Sequence, residues 1–305
     1  MIKASHSEIQ AYLDCRAKHH FRYVLRLPTV DKEGNMDRGS AVHRGMEHLC
    51  GLSAFGGPDS WREAQDVATT ELRRLRIEST SEDVAAVRAG VRAGHAYLMT
   101  IECEEVLGVE LKIQPTIGEW TPRGAVDFIW RDVYGVVHVD DWKTCKELGE
   151  PTTGVPDGQT ALYAHWAMET YGVDTVHAGR VYLRTVEPTF GLTKAGKFSQ
   201  QNKISDDDYR RWAEQQVDES ALLPDDKAEK FGPWWRADID IVTTHLAAAI
   251  LADQATVAAE IAERRLPVAN RRPKMCVRCE YLAPCVDRMI NGDFDPSFEE
   301  PHEQT

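Results

Sequence analysis

Residues 123–144 carry two runs with strand periodicity, RGAVDFIWRD and GVVHVDDWKT, joined by a tight turn over 131–135. Side chains alternate along a strand, so Ala125, Asp127 and Ile129 share one face of the first run. Val137, Val139, Asp141 and Lys143 share one face of the second, and Asp140 points to the other face as a structural residue. Neighbouring strands of this kind aim Asp127, Asp141 and Lys143 at a single point. Two carboxylates with an ammonium suit divalent-metal phosphoryl chemistry: hard oxygen ligands hold Mg²⁺ or Mn²⁺, and the ammonium orients water or steadies charge. Spacing alone leaves a second reading open, in which the acids are solvated strand-end charges and the lysine guards a sheet edge.

Around this pair the order of elements suggests an α/β core with helical additions. Ser5 and Glu8 form an S-x-x-E capping pattern ahead of a helix. Ile9, Tyr12, Leu13, Ala17, Phe21 and Val24 form its apolar stripe, with Cys15 off it. A second helix is expected over 40–49, and more helix over 61–103. VLGVELKI reads as the strand before the pair and TVHAGRVYLRTV as the strand after it. Between them Asp157 is placed to cap the helix GQTALYAHWAMETYG. GLTKAGKFSQQNK reads as a polar excursion, and helices are expected over 205–222 and 239–265.

A net charge of −13 argues against a broad positive field for nucleic acid. The cations cluster, however: Lys18, His19, His20, Arg22 and Arg26 near the start, and Arg264, Arg265, Arg271, Arg272, Lys274 and Arg278 near the end. The final DFDPSFEEPHE reads as an acidic tail. No apolar run reaches the length of a membrane span and the first residues lack a secretory apolar core, so a cytoplasmic protein without a membrane partner is expected.

Seven cysteines in such a chain point away from disulfides. Cys276, Cys279 and Cys285 form C-x2-C-x5-C, a metal-binding pattern short of a fourth ligand. Spacing does not choose between an iron–sulfur cluster and zinc. Cys50, Cys103 and Cys145 show no such pattern and read as packing residues.

GAVDFIW followed by VVHVDDWKT resembles the paired G-x-x-D and D-x-K-T motifs of the RecB-type PD-(D/E)XK nucleases. Upstream, RGSAVHRGMEHL resembles that family's G-x-x-x-H helix; downstream, GQTALYAHWAM resembles its Q-x-x-x-Y helix. The four stand in family order. The resemblance implies a restriction-endonuclease-like mixed sheet flanked by helices. It implies His43, Asp127 and Asp141 as ligands of Mg²⁺ or Mn²⁺, with the Trp142 backbone carbonyl joining them and Glu110 as a further candidate. Lys143 would position the attacking water, and Gln159 and Tyr163 would contact DNA phosphate. YLDCRAKHHFRYVL and the cysteine triple are similar to the iron–sulfur exonucleases of AddB type and the CRISPR-associated RecB-like group. That likeness makes Cys15, Cys276, Cys279 and Cys285 the ligands of a 4Fe–4S cluster, with structural Zn²⁺ as the alternative.

The implied organisation is one nuclease domain over 1–305: a core at 36–190, a helical region at 204–265, a clasp from 1–30 and 266–290, and the tail at 291–305. The implied activity is an exonuclease acting on single-stranded DNA ends in recombination, repair or replication. Trp142, Tyr163 and Trp166 are candidates for a base-stacking surface. No G-x-x-x-x-G-K-S/T motif is present, so unwinding would need a partner helicase or recombinase. A catalytically weak scaffold that binds DNA ends for such a partner is the alternative; the full His43, Asp127, Asp141 and Lys143 set weighs against it.

Overall fold

A computed structural model of the chain describes residues 1–28, 35–57, 59–76, 78–149, 156–186, 234–263, 276, 279 and 281–285. The expected polar excursion, the helix over 205–222, the basic residues from Arg264 to Arg278 and the acidic tail lie outside them. The chain divides into two compact units. One gathers Met1–Lys32, Lys112–Gly124 and Ala248–Thr305; the other comprises Glu33–Leu111 and Ala125–Ala247.

In the first unit, Ser5 Oγ accepts the Glu8 amide at 3.2 Å and starts α1 (His6–Asp14). Glu8 turns its own carboxylate to His19 Nε2, 3.2 Å away. The expected single helix does not continue. Cys15 is extended (φ −163°, ψ 117°), the chain restarts as α2 (Arg16–His19), and a π-helical turn follows over His20–Val24. An extended residue resets the helical phase, so Leu13 and Val24 of the expected stripe are 44% and 48% exposed while Ile9, Tyr12, Ala17 and Phe21 stay buried. Ala17, Phe21 and Tyr281 form a small core, and Cys15, Cys279 and Cys285 pack against it.

The second unit begins with three packed helices, α3 (Asn35–Cys50), α4 (Ser60–Leu75) and α5 (Ser81–Leu98). A reciprocal cap opens α5: Thr80 Oγ1 accepts the Asp83 amide at 3.1 Å, and Asp83 Oδ2 accepts the Thr80 amide at 2.8 Å. The strands are β1 (Cys103–Ile113), β2 (Gly124–Asp132), β3 (Val137–Cys145), β4 (Thr175–Arg184) and β5 (Trp235–Thr243). Among the described residues they form one mixed sheet in sequence order. β2 and β3 are antiparallel with Phe128 opposite Asp140; β3 and β4 are parallel with Asp141 opposite Arg180; β4 and β5 are antiparallel with Arg180 opposite Asp238.

The parallel step needs a crossover, and α6 (Gly158–Tyr171) supplies it. Asp157 caps its start by accepting the Thr160 amide at 2.9 Å, and Gly172 ends it at φ 65°, a left-handed position that glycine takes without a Cβ clash. β5 replaces the first part of the helix expected from residue 239; α7 (Thr244–Ala262) begins only after it. In WRADIDIVT apolar and polar residues alternate, a period of two that suits a strand.

Phe128, Trp130, Trp142, Val181 and Leu183 face α3, α4 and α5 and build the main core with Val42, Met46, Leu72 and Val87. Each large apolar side chain removed from water contributes about 1.5–3 kcal/mol. Trp142 is 1% exposed and stacks on Phe128. It is therefore a core residue, as is Tyr163 at 5%, and neither offers a surface to unpaired bases. No helix among the described residues is long and apolar enough to cross a membrane.

Candidate active site

Alternation along β3 divides its residues between two jobs. Trp142 anchors in the core, while Asp141 and Lys143 project from the opposite face, joined there by Asp127 of β2. The paired register of β2 and β3 stops at Phe128 and Asp140. Just beyond it the Trp142 amide donates to Asp127 Oδ2 at 2.7 Å, which orients that carboxylate. His43, in the middle of α3, sends Nδ1 to within 3.5 Å of Asp127 Oδ1 and 3.4 Å of Glu110 Oε1. Its other nitrogen, Nε2, faces the Trp142 carbonyl at 3.1 Å. The carbonyl accepts the Nε2 proton, so Nδ1 faces the two carboxylates, where it holds a second proton or would bind a cation in that proton's place.

Glu110 reaches the group through an unusual backbone. Its φ is +49°, in the left-handed region that a non-glycine residue adopts at a cost of about 1–2 kcal/mol. Such strain on a strand is sustained by surrounding structure and is concentrated where function needs a side chain re-aimed. No sequence signal marked this position beyond its place on the expected strand.

Donor atoms of His43, Glu110 and Asp127 all lie within 4.8 Å of one another. One imidazole nitrogen and two carboxylates are a set that fits a divalent cation such as Mn²⁺ or Mg²⁺. The electrostatics agree. Burial opposes charge on His43, but hydrogen bonds and charge from Asp127 and Glu110 outweigh it and push the imidazole up to about 10. The site draws positive charge to this point.

Asp141 stands beside that trio and has different partners. Lys143 Nζ is 2.6 Å from its Oδ2, Gln159 Nε2 donates to its Oδ1 at 3.3 Å, and Arg180 Nε lies 3.9 Å from Oδ2. Burial raises its carboxyl above the ordinary range; Lys143 counters this and Asp127 adds to it. Gln159 also donates to Tyr163 Oη at 2.9 Å, one helical turn along α6, and burial raises the Tyr163 phenol. Asp140, on the core face, accepts from Tyr97 Oη at 2.8 Å and Trp130 Nε1 at 2.9 Å and is fully buried, as expected of a structural acid.

Of the expected site residues, the fold brings His43, Asp127, Glu110 and the Trp142 carbonyl into one cluster and Asp141, Lys143, Gln159 and Tyr163 into an adjoining one. The Trp142 carbonyl meets His43. Arg180 carries no motif of its own in the sequence; it joins the second cluster because parallel pairing sets it opposite Asp141. Cys15, Cys276, Cys279 and Cys285 belong to the other unit.

Comparison with curated proteins gave no match. Comparison with protein families gave the PD-(D/E)XK nuclease superfamily over residues 3–286, nearly the whole chain, so an acid pair and lysine on adjacent strands beside a donor set fit for a divalent metal are found where that match predicts phosphodiester hydrolysis: the chain belongs to the PD-(D/E)XK nuclease superfamily.

Proposed function

We propose that this metal-dependent nuclease is an exonuclease that degrades single-stranded DNA from an end, using Mg²⁺ or Mn²⁺ held by His43, Glu110, Asp127 and Asp141. The observation that carries the reading is the donor cluster of His43, Glu110 and Asp127 set beside the Asp141–Lys143 ion pair. A divalent ion bound there supplies a Lewis acid for phosphate and lowers the pKa of bound water. Lys143 orients the attacking water or steadies developing charge, its ammonium held by Asp141. Gln159 locks Asp141 and Tyr163 together and so fixes the start of α6 beside the reacting phosphate. Preference for single strands follows from charge: at −13 overall, the protein lacks the broad positive field that duplex wrapping needs. Cys15, Cys276, Cys279 and Cys285 are assigned to a 4Fe–4S cluster, supported by the packing of three of them on one small apolar core.

The test is incubation of purified protein with end-labelled linear and circular single-stranded DNA, with and without Mn²⁺. Linear strands are consumed only with metal, circles survive, and activity falls steeply with salt. Rapid nicking of circles would replace the exonuclease reading with an endonuclease.

A further inference from the structure

β4 is an interior strand with β3 on one side and β5 on the other, yet it carries an arginine. Arg180 pairs in register with Asp141 and Asp238, so it shares the sheet face that bears Asp141 and Lys143. Its neighbours on that face along β4 are the buried Ala178 and the half-buried Tyr182. A guanidinium there loses much of its hydration, and such a group is kept in place by partners or by function.

One partner is plain. Arg180 Nη2 is ion-paired with Asp157 Oδ2, while Asp157 Oδ1 caps α6 through the Thr160 amide. A single carboxylate thus holds the helix start and fixes the plane of the guanidinium. The other end is unmet. Arg180 Nε is buried without a hydrogen-bond partner among the described residues, 3.9 Å from Asp141 Oδ2 and beyond hydrogen-bond reach. A buried donor left unsatisfied is destabilising, so an ion pair with Asp157 accounts for only part of the residue. Lys143 and Arg180 converge on one oxygen of Asp141, which sets two permanent cations beside the carboxylates of Asp141 and Asp157.

We propose that Arg180 is a further catalytic residue, presenting its guanidinium to a non-bridging oxygen of the phosphate being cut. Phosphodiester hydrolysis adds water across one P–O bond: the water oxygen bonds phosphorus, the sugar oxygen leaves with a proton, and charge spreads over the non-bridging oxygens on the way. A planar guanidinium, already oriented by Asp157, meets those oxygens without reorganising, and its geometry is one that lysine does not reproduce. The assignment rests on the nuclease reading above.

The experiment compares wild type with Arg180→Ala, Arg180→Lys, Asp157→Asn and Asp127→Ala in the full chain. Arg180→Ala is expected to lose about 10²–10³-fold in kcat, the loss typical of one transition-state donor. Added guanidinium restores part of that rate, and Arg180→Lys remains well below wild type. Without metal, Arg180→Ala also binds a short single strand more weakly at low salt, in fluorescence anisotropy. Asp157→Asn keeps an oxygen to cap α6 but releases the guanidinium, and is expected to slow cleavage about tenfold; this variant and Arg180→Lys carry the test if Arg180→Ala fails to fold. Wild-type cleavage by Arg180→Ala or by both substitutes, with Asp127→Ala inactive, overturns the role of Arg180 and leaves the nuclease site standing. Full activity in Asp127→Ala overturns the site itself.

Discussion

Asp127 and Trp142 meet across β2 and β3: the Trp142 amide donates to Asp127 Oδ2 at 2.7 Å, and the remaining oxygen, Oδ1, faces His43 Nδ1 at 3.5 Å. The same residue's carbonyl faces His43 Nε2 at 3.1 Å. Trp142 therefore orients an acid and a base with its backbone while its indole is locked between Phe128 and Tyr97 in the core. Core packing and site geometry share one residue.

That arrangement separates folding from chemistry at Asp127. Asp127→Asn retains an acceptor for the Trp142 amide, so its thermal midpoint should stay near wild type while Mn²⁺-dependent cleavage is lost. Asp127→Ala leaves a buried amide unmet and should cost about 1–3 kcal/mol in addition. Denaturant unfolding alongside nuclease assays measures both; cleavage at the wild-type rate by Asp127→Asn contradicts the proposed ligand role.

Glu110 gives a prediction in which stability and function move apart. At φ +49° any Cβ is disfavoured, so Glu110→Ala gives up the carboxylate and keeps the strain. Glu110→Gly gives up both. The glycine variant should be more stable than the alanine variant by roughly 1 kcal/mol, the left-handed penalty less the extra unfolded-state freedom of glycine. Both should bind Mn²⁺ more weakly in calorimetric titration. An alanine variant as stable as the glycine variant would mean that the strand does not hold this conformation.

Period-two alternation made Asp127, Asp141 and Lys143 legible in the sequence, because a strand face is a local property. It would equally have revealed β5, where Trp235, Ala237, Ile239 and Ile241 alternate with Arg236, Asp238 and Asp240; the apolar helix that follows drew the reading of 239–243 into itself. Arg180 was not legible. Its place beside Asp141 depends on the register of a parallel pair separated by α6, and register is a tertiary fact. Glu110 depends on a single backbone angle, and the break at Cys15 on one extended residue inside a good helical pattern. The Trp142 indole lies in the core and not at a stacking surface, because the residue next to a site residue on a strand faces the opposite side.

Acid should weaken the protein in part through Asp83. Burial alone would raise its carboxyl, but hydrogen bonds from the Thr80 amide and hydroxyl, with Arg76 and Arg38 nearby, lower it below the usual range. A depressed folded-state pKa contributes stability that is present above the unfolded value of about 3.9 and is lost as pH falls through the folded one. Asp83→Ala, which also removes the reciprocal cap of α5, should cost about 1–2 kcal/mol at neutral pH. The gap between the two proteins should narrow on titration below about pH 4. A gap independent of pH would assign the loss to packing.

The last prediction concerns the four cysteines. Cys15 leaves the helical path by its extended backbone and packs on the Ala17–Phe21–Tyr281 core, where Cys279 and Cys285 also pack. Tyr281 closes that core with a hydroxyl donated to the Leu27 carbonyl at 3.2 Å, and the Cys279 amide turns back onto the Cys276 carbonyl at 3.1 Å. Residues from the two ends of the sequence therefore share one small core, and ligation of Cys15 with the triple would close a very long loop and restrict the unfolded chain. Anaerobic preparations should be brown and contain iron and sulfide. Cys15→Ser and Cys279→Ser should each bleach the protein and lower its melting temperature. Cys50→Ser is the control: Cys50 is buried in the core of the other unit, where burial pushes its thiol well above the usual range, so colour should persist. Stoichiometric zinc without iron in anaerobic, iron-replete preparations would establish a structural zinc site in place of the cluster.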